Sequence, residues 1–554
     1  MSEWGTGYVD EIPYTYGYCD ELNPLRLNLA LLRAGLALPA VHTACELGFG
    51  HGVSVNIHAA GSVTRWHGTD FNPVHANFAQ QLAQAAGAHA QLSAERFSEF
   101  CRRDDLPAFD YIGMHGIWSW ISADNREVLL DFLRRKLKPS GVLYISYNTQ
   151  PGWASMQPVR ELMNRHFQAS AVAANHIVAN GAVDSTVNDA TNAAANAAVN
   201  TPSSVSVRIE AAVDFAQRVF ATHPGFAVVN PLLAERVDAL SYESPAYLAH
   251  EYFNRDWEPT YFSQVASSLV SAGLTYAAPA RYVDHIDALN LTTAQRALLS
   301  GIADVSLRET TRDFCTNQSL RRDYWTRAPR PLNDDEKQAA LRAQRVILAL
   351  PRAAVVLKVR GALSETTLSA ALYDPILDAL ASHRPETLQH IEDSVRAQGI
   401  ALPRIVDAVM VLVNMGVLLN AQDDAQILAA RPSAAKLNAA ICEQARHHGE
   451  LQFLVSPVSG SGIRVPRVPQ LFLLARLHHL QQPEQWAEFA SEVLRAAAGV
   501  PVPVAMPVPA PAPAPGNELD GSSSVPISAE PDLKAQARRF AEVHLPILQA
   551  LGVA

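Results

Sequence analysis

Between Thr43 and Asp70 the chain reads TACELGFGHGVSVNIHAAGSVTRWHGTD, a run that few folds accommodate. An apolar segment ends in Glu46, and Gly48, Gly50 and Gly52 follow at alternate positions. Glycines at that spacing let the backbone turn sharply and pass close to a ligand. A helix-like stretch comes next, then a short strand-like run, Arg65 to Thr69, that ends in Asp70. Asn72-Pro73 reads as a helix start, which puts the Asp70 carboxylate at the C-terminal end of a strand, where open α/β sheets bind ligands. Strand, glycine turn, helix, strand and acid is the order of a nucleotide-type βαβ unit. Taken alone, the same run serves equally well as a structural turn.

The pattern is E-x-G-x-G-x-G rather than the G-x-G-x-x-G of dinucleotide sites, whose pyrophosphate sits on a helix N-terminus. A cofactor without phosphates is therefore expected, and S-adenosylmethionine fits: Glu46, Gly48 and Gly50 would contact it, and Asp70 would accept the ribose hydroxyls. A short third strand is expected at His89 to Leu92, with Glu95 just beyond it and in reach of an adenine ring or an amine. A helix-start carboxylate serving the dipole explains Glu95 as well.

At 554 residues the chain exceeds what one core organises. Its 48% hydrophobic and 18% charged content are globular values, and no apolar run is long enough to cross a bilayer. The acidic, aromatic start MSEWGTGYVDEIPYTYGY lacks the features of a secretory signal, so a cytoplasmic location is expected. Five scattered cysteines without a C-x-x-C pair read as reduced, buried thiols, and no metal site is expected. A net charge of -10 argues against broad nucleic-acid affinity, which needs clustered Lys and Arg.

Further along, FDYIGM (Phe109 to Met114) runs into HGIWSW, and after a helix at Asn125 to Leu137 the strand Val142 to Tyr147 runs into NTQPGW. Five strands alternating with helices imply a doubly wound, Rossmann-like α/β sheet. ELGFGHG, FDYIGMHGIWSW and GVLYISYNTQPGW, in this order, resemble the class I S-adenosylmethionine-dependent methyltransferases that carry a methyltransferase regulatory domain, a group that includes bacterial protein-lysine methyltransferases. HEYFNRDWEPTYF and SPVSGSGI extend the likeness to about residue 470. Phe49, where many relatives have cysteine, and VSVN after Gly52, where a Gly-Asn pair is frequent, suggest a subgroup.

The expected organisation is a catalytic domain over residues 1–330 with an insertion at about 154–258, a helical, winged-helix-like regulatory domain over 331–498, a Pro-rich linker over 499–530 and a C-terminal helix over 531–554. Within the insertion, Gln168 to Val205 is rich in Ala, Asn and Ser and reads as a protruding irregular segment. The charges of the C-terminal domain are mixed, which favours protein contact or self-association as a homodimer over nucleic acid. The His447-His448 and His478-His479 pairs read as solvent-facing.

Catalytic candidates are Tyr147 and Asn148 at the end of the fifth strand, His115 at the end of the fourth, and His250 in the HEY segment (His250 to Tyr252), with Trp118 on the same cavity; His115 would also touch the cofactor near its methyl end. Carbonyls or phenols near Tyr147-Asn148 would orient a lysine amine, whereas a hydroxyl would need a base such as His115 or His250. The resemblance implies a protein-lysine methyltransferase. An O-methyltransferase acting on a glycan or small molecule, and a catalytically silent methyltransferase-like binding protein, are the alternatives. No membrane partner is expected.

Overall fold

The structure, a computed structural model, describes residues 15–180, 205–498 and 532–554. The Ala/Asn-rich stretch from residue 181 to 204 and the Pro-rich linker therefore lie outside the described residues. Seven strands within them form one sheet: β1 (Thr43–Leu47), β2 (Arg65–Thr69), β3 (Ala90–Ser93), β4 (Phe109–Met114), β5 (Leu137–Asn148), β6 (Leu274–Pro279) and β7 (Leu320–Arg327). Their order is β3-β2-β1-β4-β5-β7-β6. β1 to β5 run parallel, and β7 lies antiparallel between β5 and β6. This is the class I methyltransferase fold. β1 is buried along its whole length, as a central strand covered on both faces must be.

Local chemistry sets the crossover helices. Pro73–Ala86 starts where the Asn72 side chain accepts the Val74 N–H and Pro73 occupies the first turn; it stops at Gly87, which is left-handed. Ala123–Lys136 starts where the Ser122 hydroxyl accepts the Asn125 N–H. The helix Val305–Thr316 is ended by left-handed Asn317, and β7 begins at Leu320.

Between β5 and β6 the chain leaves the sheet and builds a cap. The helices Gln157–Asn180, Val205–Ala221, Leu233–Ala239 and Pro245–Tyr252 bury an apolar cluster that includes Trp153, Met163, Val213 and Tyr252. Residues 168–180, expected to be irregular, continue the first of these helices.

The C-terminal half is welded to the sheet domain. The strand Arg345–Leu348 pairs antiparallel with Glu386–Thr387 on one side and Leu418–Ala421 on the other. A hairpin joins Phe453–Ser456 to Ser461–Arg464. Val53, Ile57 and Ala60 of the first crossover helix (Val53–Gly61) and Leu82 and Ala86 of the second share one apolar cluster with Ile427, Leu437, Leu454 and Val455. The hairpin turn approaches so closely that a Cβ on Gly61 would lie 3.1 Å from the Gly460 backbone. Gln422 Nε2 bridges the two by donating to the carbonyls of Gly61 (2.8 Å) and Pro457 (2.7 Å). His447, His478 and His479 are exposed, as expected, and His448 is part-exposed beside the Tyr16 ring, with centroids 6.3 Å apart. Two helices follow the hairpin, Arg467–Leu477 and Pro483–Ala498, and Pro483 opens the second. Among the described residues no helix is long and apolar enough to cross a membrane.

The last described segment is helical from Leu533 to Ala550, with a π turn at Phe540–His544. It docks by its apolar face: Phe540 meets Trp486 (centroids 6.3 Å) and Phe472 (5.6 Å). Emptying such a buried aromatic site costs about 3 to 5 kcal/mol. Phe540→Ala is therefore expected to lower the midpoint of urea unfolding followed by tryptophan fluorescence, and an unchanged midpoint would show that this helix does not contribute to the shared core.

Candidate active site

The glycines after β1 are left-handed, with φ of 71° at Gly48, 57° at Gly50 and 68° at Gly52. Any side chain at these positions is strained, and at Gly48 a Cβ would also meet Ile117 at 2.9 Å. The turn is tied to the end of β2: the Gly48 N–H donates to the Thr69 carbonyl (2.8 Å) and the Gly50 N–H to Asp70 Oδ2 (2.9 Å). The other oxygen, Oδ1, accepts the Asn72 N–H (3.0 Å) and faces His75 Nδ1 at 3.6 Å. Each carboxylate oxygen of Asp70 thus keeps lone-pair capacity for a further donor, as pairing with two vicinal hydroxyls requires.

Glu46 ends β1 almost fully buried, and its Oε2 has no hydrogen-bond partner among the described residues. Burial, helped by the nearby Asp70 charge, raises its carboxyl to about 8. A buried carboxyl left without a partner beside a glycine cradle is a place for an incoming cation. S-adenosylmethionine carries both an ammonium and vicinal ribose hydroxyls, so Glu46 and Asp70 fit it.

At the ends of β4 and β5 a second set of groups converges. His115 Nδ1 lies 2.9 Å from the Tyr144 hydroxyl, 3.1 Å from Ser146 Oγ and 3.4 Å from Cys19 Sγ. The Gly116 N–H donates to Ser146 Oγ (2.8 Å). Burial and the Arg322 charge hold the imidazole neutral, lowered to about 4. Cys19 belongs to the N-terminal arm, which lies along the first crossover helix: the Cys19 N–H donates to Ser54 Oγ (2.9 Å), and the Tyr18 hydroxyl hydrogen-bonds His58 Nε2 (3.2 Å) and accepts the Gly462 N–H (2.8 Å). Tyr16 stacks on His51 of the glycine turn at 4.2 Å. The arm delivers Glu21 beside Arg322 (3.5 Å), and although burial opposes ionisation, Arg322 and Arg26 bring Glu21 down to about 2. Cys19, Glu21, Tyr144, Ser146 and Arg322 were not singled out from the sequence. The signal within reach was the acid in YCDEL just before a helix.

The structure separates other residues that the sequence grouped. Tyr147 does not face His115: strand alternation puts it on the opposite face, in the core with Phe132 and Phe262, where its hydroxyl donates to Asp323 Oδ2 (2.9 Å). Trp118 is buried in that same core under the Arg126 guanidinium. Asn148 stays on the His115 side of β5. Its backbone N–H donates to Ser119 Oγ (2.9 Å), and its buried Nδ2 has no partner among the described residues. Glu95 turns its carboxylate to Arg103 (2.9 Å), while its backbone carbonyl accepts the Thr69 hydroxyl (2.5 Å). His250 is buried on the cap helix Pro245–Tyr252, where its backbone carbonyl accepts Asn254 Nδ2 (2.5 Å); His51, on the glycine turn, is lowered to about 4 by burial and by the neighbouring His75. Tyr252 instead packs against Trp153 in the cap, with centroids 5.8 Å apart.

The raised Glu46 carboxyl links stability to pH. The folded state holds a proton that the unfolded chain releases near 4.3, so this group's stabilising share is complete below that pH and is lost as pH rises towards about 8. Glu46→Gln should flatten the decline of melting temperature between pH 5 and 8; a decline as steep as in the native chain would show that Glu46 ionises normally.

Comparisons with known proteins bear on the family and the fold. A family model described as a predicted methyltransferase regulatory domain matches residues 244–327, ahead of the 331–498 region assigned that role from sequence. The Synechocystis sp. protein sll1526 is 34% identical over 495 residues, covering 88% of this chain and 91% of the relative. The Rickettsia prowazekii protein RP789 is 25% identical over 327 residues, 57% of this chain and 53% of the relative. In fold, the chain is similar to the structure of PKMT2 from Rickettsia typhi in complex with AdoHcy, with a TM-score of 0.63 at 17% identity over 98% of this chain and 99% of that one. The chain belongs to the family of class I S-adenosylmethionine-dependent methyltransferases that carry a methyltransferase regulatory domain.

Proposed function

We propose that this protein transfers a methyl group from S-adenosylmethionine to an amine nitrogen of a protein, namely a lysine side chain. S-adenosylmethionine supplies a methyl electrophile on a sulfonium centre; the rest falls to the residues of this chain. Glu46 holds the cofactor's ammonium, Asp70 takes the ribose hydroxyls, and the left-handed glycines bring the backbone within reach of both. Much of the rate in such a transfer comes from alignment and exclusion of water.

The observation that carries the amine reading is the pairing of an anionic Glu21 with a neutral His115. A hydroxyl acceptor loses its proton during transfer and needs a base with a pKa near the working pH. His115, at about 4, is a poor one. A lysine needs a different environment: a fixed anion to receive the ammonium, a dry site that favours the neutral amine, and acceptor groups to orient its lone pair. Glu21 supplies the anion, and the side-chain amide oxygen of Asn148, together with the Tyr144 and Ser146 hydroxyls near His115, supplies acceptors at the ends of β4 and β5. The amine proton leaves to water before attack.

Asp70→Ala is expected to weaken AdoHcy binding by about 1.5 to 3 kcal/mol, the size of hydrogen bonds to a charged group, and calorimetry giving unchanged affinity would remove Asp70 from the site. Glu21→Gln is expected to raise the KM for protein acceptor at least tenfold while the AdoHcy Kd changes less than twofold. The acceptor class is decided by comparing methyl groups on whole protein and on released glycans from cells with and without the gene. Methylation lost only from glycans would replace the lysine reading with the hydroxyl one.

A further inference from the structure

The block SPVSGSGI, Ser456 to Ile463, spans the turn of the C-terminal hairpin. It lies against the N-terminal arm and holds it at two points. At the first, the Gly462 N–H donates to the Tyr18 hydroxyl (2.8 Å), which leaves the hydroxyl proton for His58 Nε2 (3.2 Å). Burial lowers His58 to about 3, so the ring is neutral and Nε2 can accept. The approach is close: a Cβ on Gly462 would lie 3.0 Å from Tyr18 Cζ, and the Tyr18 ring meets Phe453 with centroids 4.8 Å apart. At the second point the buried Asn23 Nδ2 donates to the Ser459 carbonyl (3.0 Å), while Asn23 Oδ1 accepts the Leu25 N–H (3.0 Å). The serines of the block are buried and bonded within the C-terminal half: the Ser459 and Ser461 hydroxyls lie 2.6 Å apart, and Ser456 Oγ donates to the Leu551 carbonyl (2.7 Å).

The two anchors bracket Cys19 to Leu22, the stretch that enters the proposed transfer site. Cys19 Sγ lies 3.4 Å from His115 Nδ1 and 3.6 Å from the Tyr144 hydroxyl, and Glu21 faces Arg322 (3.5 Å). The sheet domain holds the same stretch from its own side: the Cys19 N–H donates to Ser54 Oγ (2.9 Å), and the Glu21 carbonyl accepts the Tyr324 hydroxyl (3.2 Å). Glu21 is therefore pinned between the two halves of the chain. Over so short a span a shift at either anchor reaches Glu21, and a misplacement of about 1 Å can cost on the order of 10²-fold in rate.

We propose that the C-terminal hairpin is a positioning element of the transfer site: Gly462 and Ser459 hold Tyr18 and Asn23, and through them set the place of Glu21 against the acceptor amine. Tyr18 and Gly462 are positioning residues that act through Glu21. The proposal rests on the amine reading of Glu21 and gives the SPVSGSGI block a part in acceptor alignment.

The test uses the full chain and two variants, Tyr18→Phe, which removes one hydroxyl, and Gly462→Ala, which sets a methyl group against the Tyr18 ring. Cys19 reports on the arm, because burial and the Glu21 charge push its thiol up and keep it slow to alkylate. Iodoacetamide labelling followed by peptide mass spectrometry is expected to run at least fivefold faster at Cys19 in both variants, with the buried Cys45 and Cys442 as slow as in the native chain. Methyl transfer is followed with tritiated S-adenosylmethionine and protein extract from cells lacking the gene. Each variant should raise the apparent KM for the extract at least threefold while the AdoHcy Kd changes less than twofold, and Tyr18→Phe added to Glu21→Gln should cost less than a further twofold. Unchanged labelling of Cys19 in both variants, equally faster labelling of all three cysteines through a loosened fold, or full additivity with Glu21→Gln would overturn the proposal. An extract that takes up no methyl on protein would defeat the amine reading instead, and Cys19 labelling would still decide whether the hairpin holds the arm.

Discussion

The Asp70 carboxylate is the tie on which the site depends. One oxygen receives the Gly50 N–H and the other the Asn72 N–H, so one side chain fixes the turn after β1 against the turn after β2. The Gly48 N–H on the Thr69 carbonyl (2.8 Å) is the backbone tie between the same two turns, and Asp70 adds the side-chain one. The β1–β2 register beneath it is equally demanding. A Cβ on Gly68 would lie 2.7 Å from the Glu46 carbonyl, so the two strands approach as closely as glycine alone permits. Charge-assisted hydrogen bonds to backbone N–H groups are roughly twice as strong as neutral ones, which suits Asp70 to this role.

Around that tie the molecule keeps two kinds of buried charge apart. On the β5–β7 face beneath the helix Phe262–Ser271, Arg321 is ringed by Glu309, Asp313 and Asp323, and the Tyr147 hydroxyl completes the shell at Asp323. Such a network is costly to break, since removing one partner leaves an uncompensated charge worth about 3 to 5 kcal/mol, yet it adds little net stability over an apolar replacement. Apart from that network, Glu46 on β1 keeps a buried Oε2 with no hydrogen-bond partner among the described residues. The matched network ties β7 to its flanking helix.

The residues matched by the regulatory-domain model are part of the catalytic sheet. Residues 244–327 contribute the HEY helix, β6 and β7, and with β7 comes Arg322, which positions Glu21. The C-terminal half reaches the site from another direction, through the apolar cluster shared with the first crossover helix and through the hairpin turn pressed against Gly61.

The run of glycines, the acid after β2 and the strand endings at His115 and Asn148 were legible from sequence because each follows from local chemistry: glycine takes left-handed turns at the least cost, and turn signals mark strand ends. The helix starts at Asn72 and Ser122 were written in the same local chemistry. What the sequence left open was which face each side chain takes and which distant segment lies beside it. Tyr147 follows Ser146 by one residue, so a single step of strand alternation sends it to the opposite core, and the draw of Asp323 on a strand that arrives some 175 residues later has no local trace. Glu21, Cys19 and Arg322 meet at His115 only because β7 inserts antiparallel beside β5 and the N-terminal arm lies along the first crossover helix. Local backbone chemistry is determined by neighbours in sequence, and charge pairing and burial by neighbours in space, which only the tertiary structure supplies.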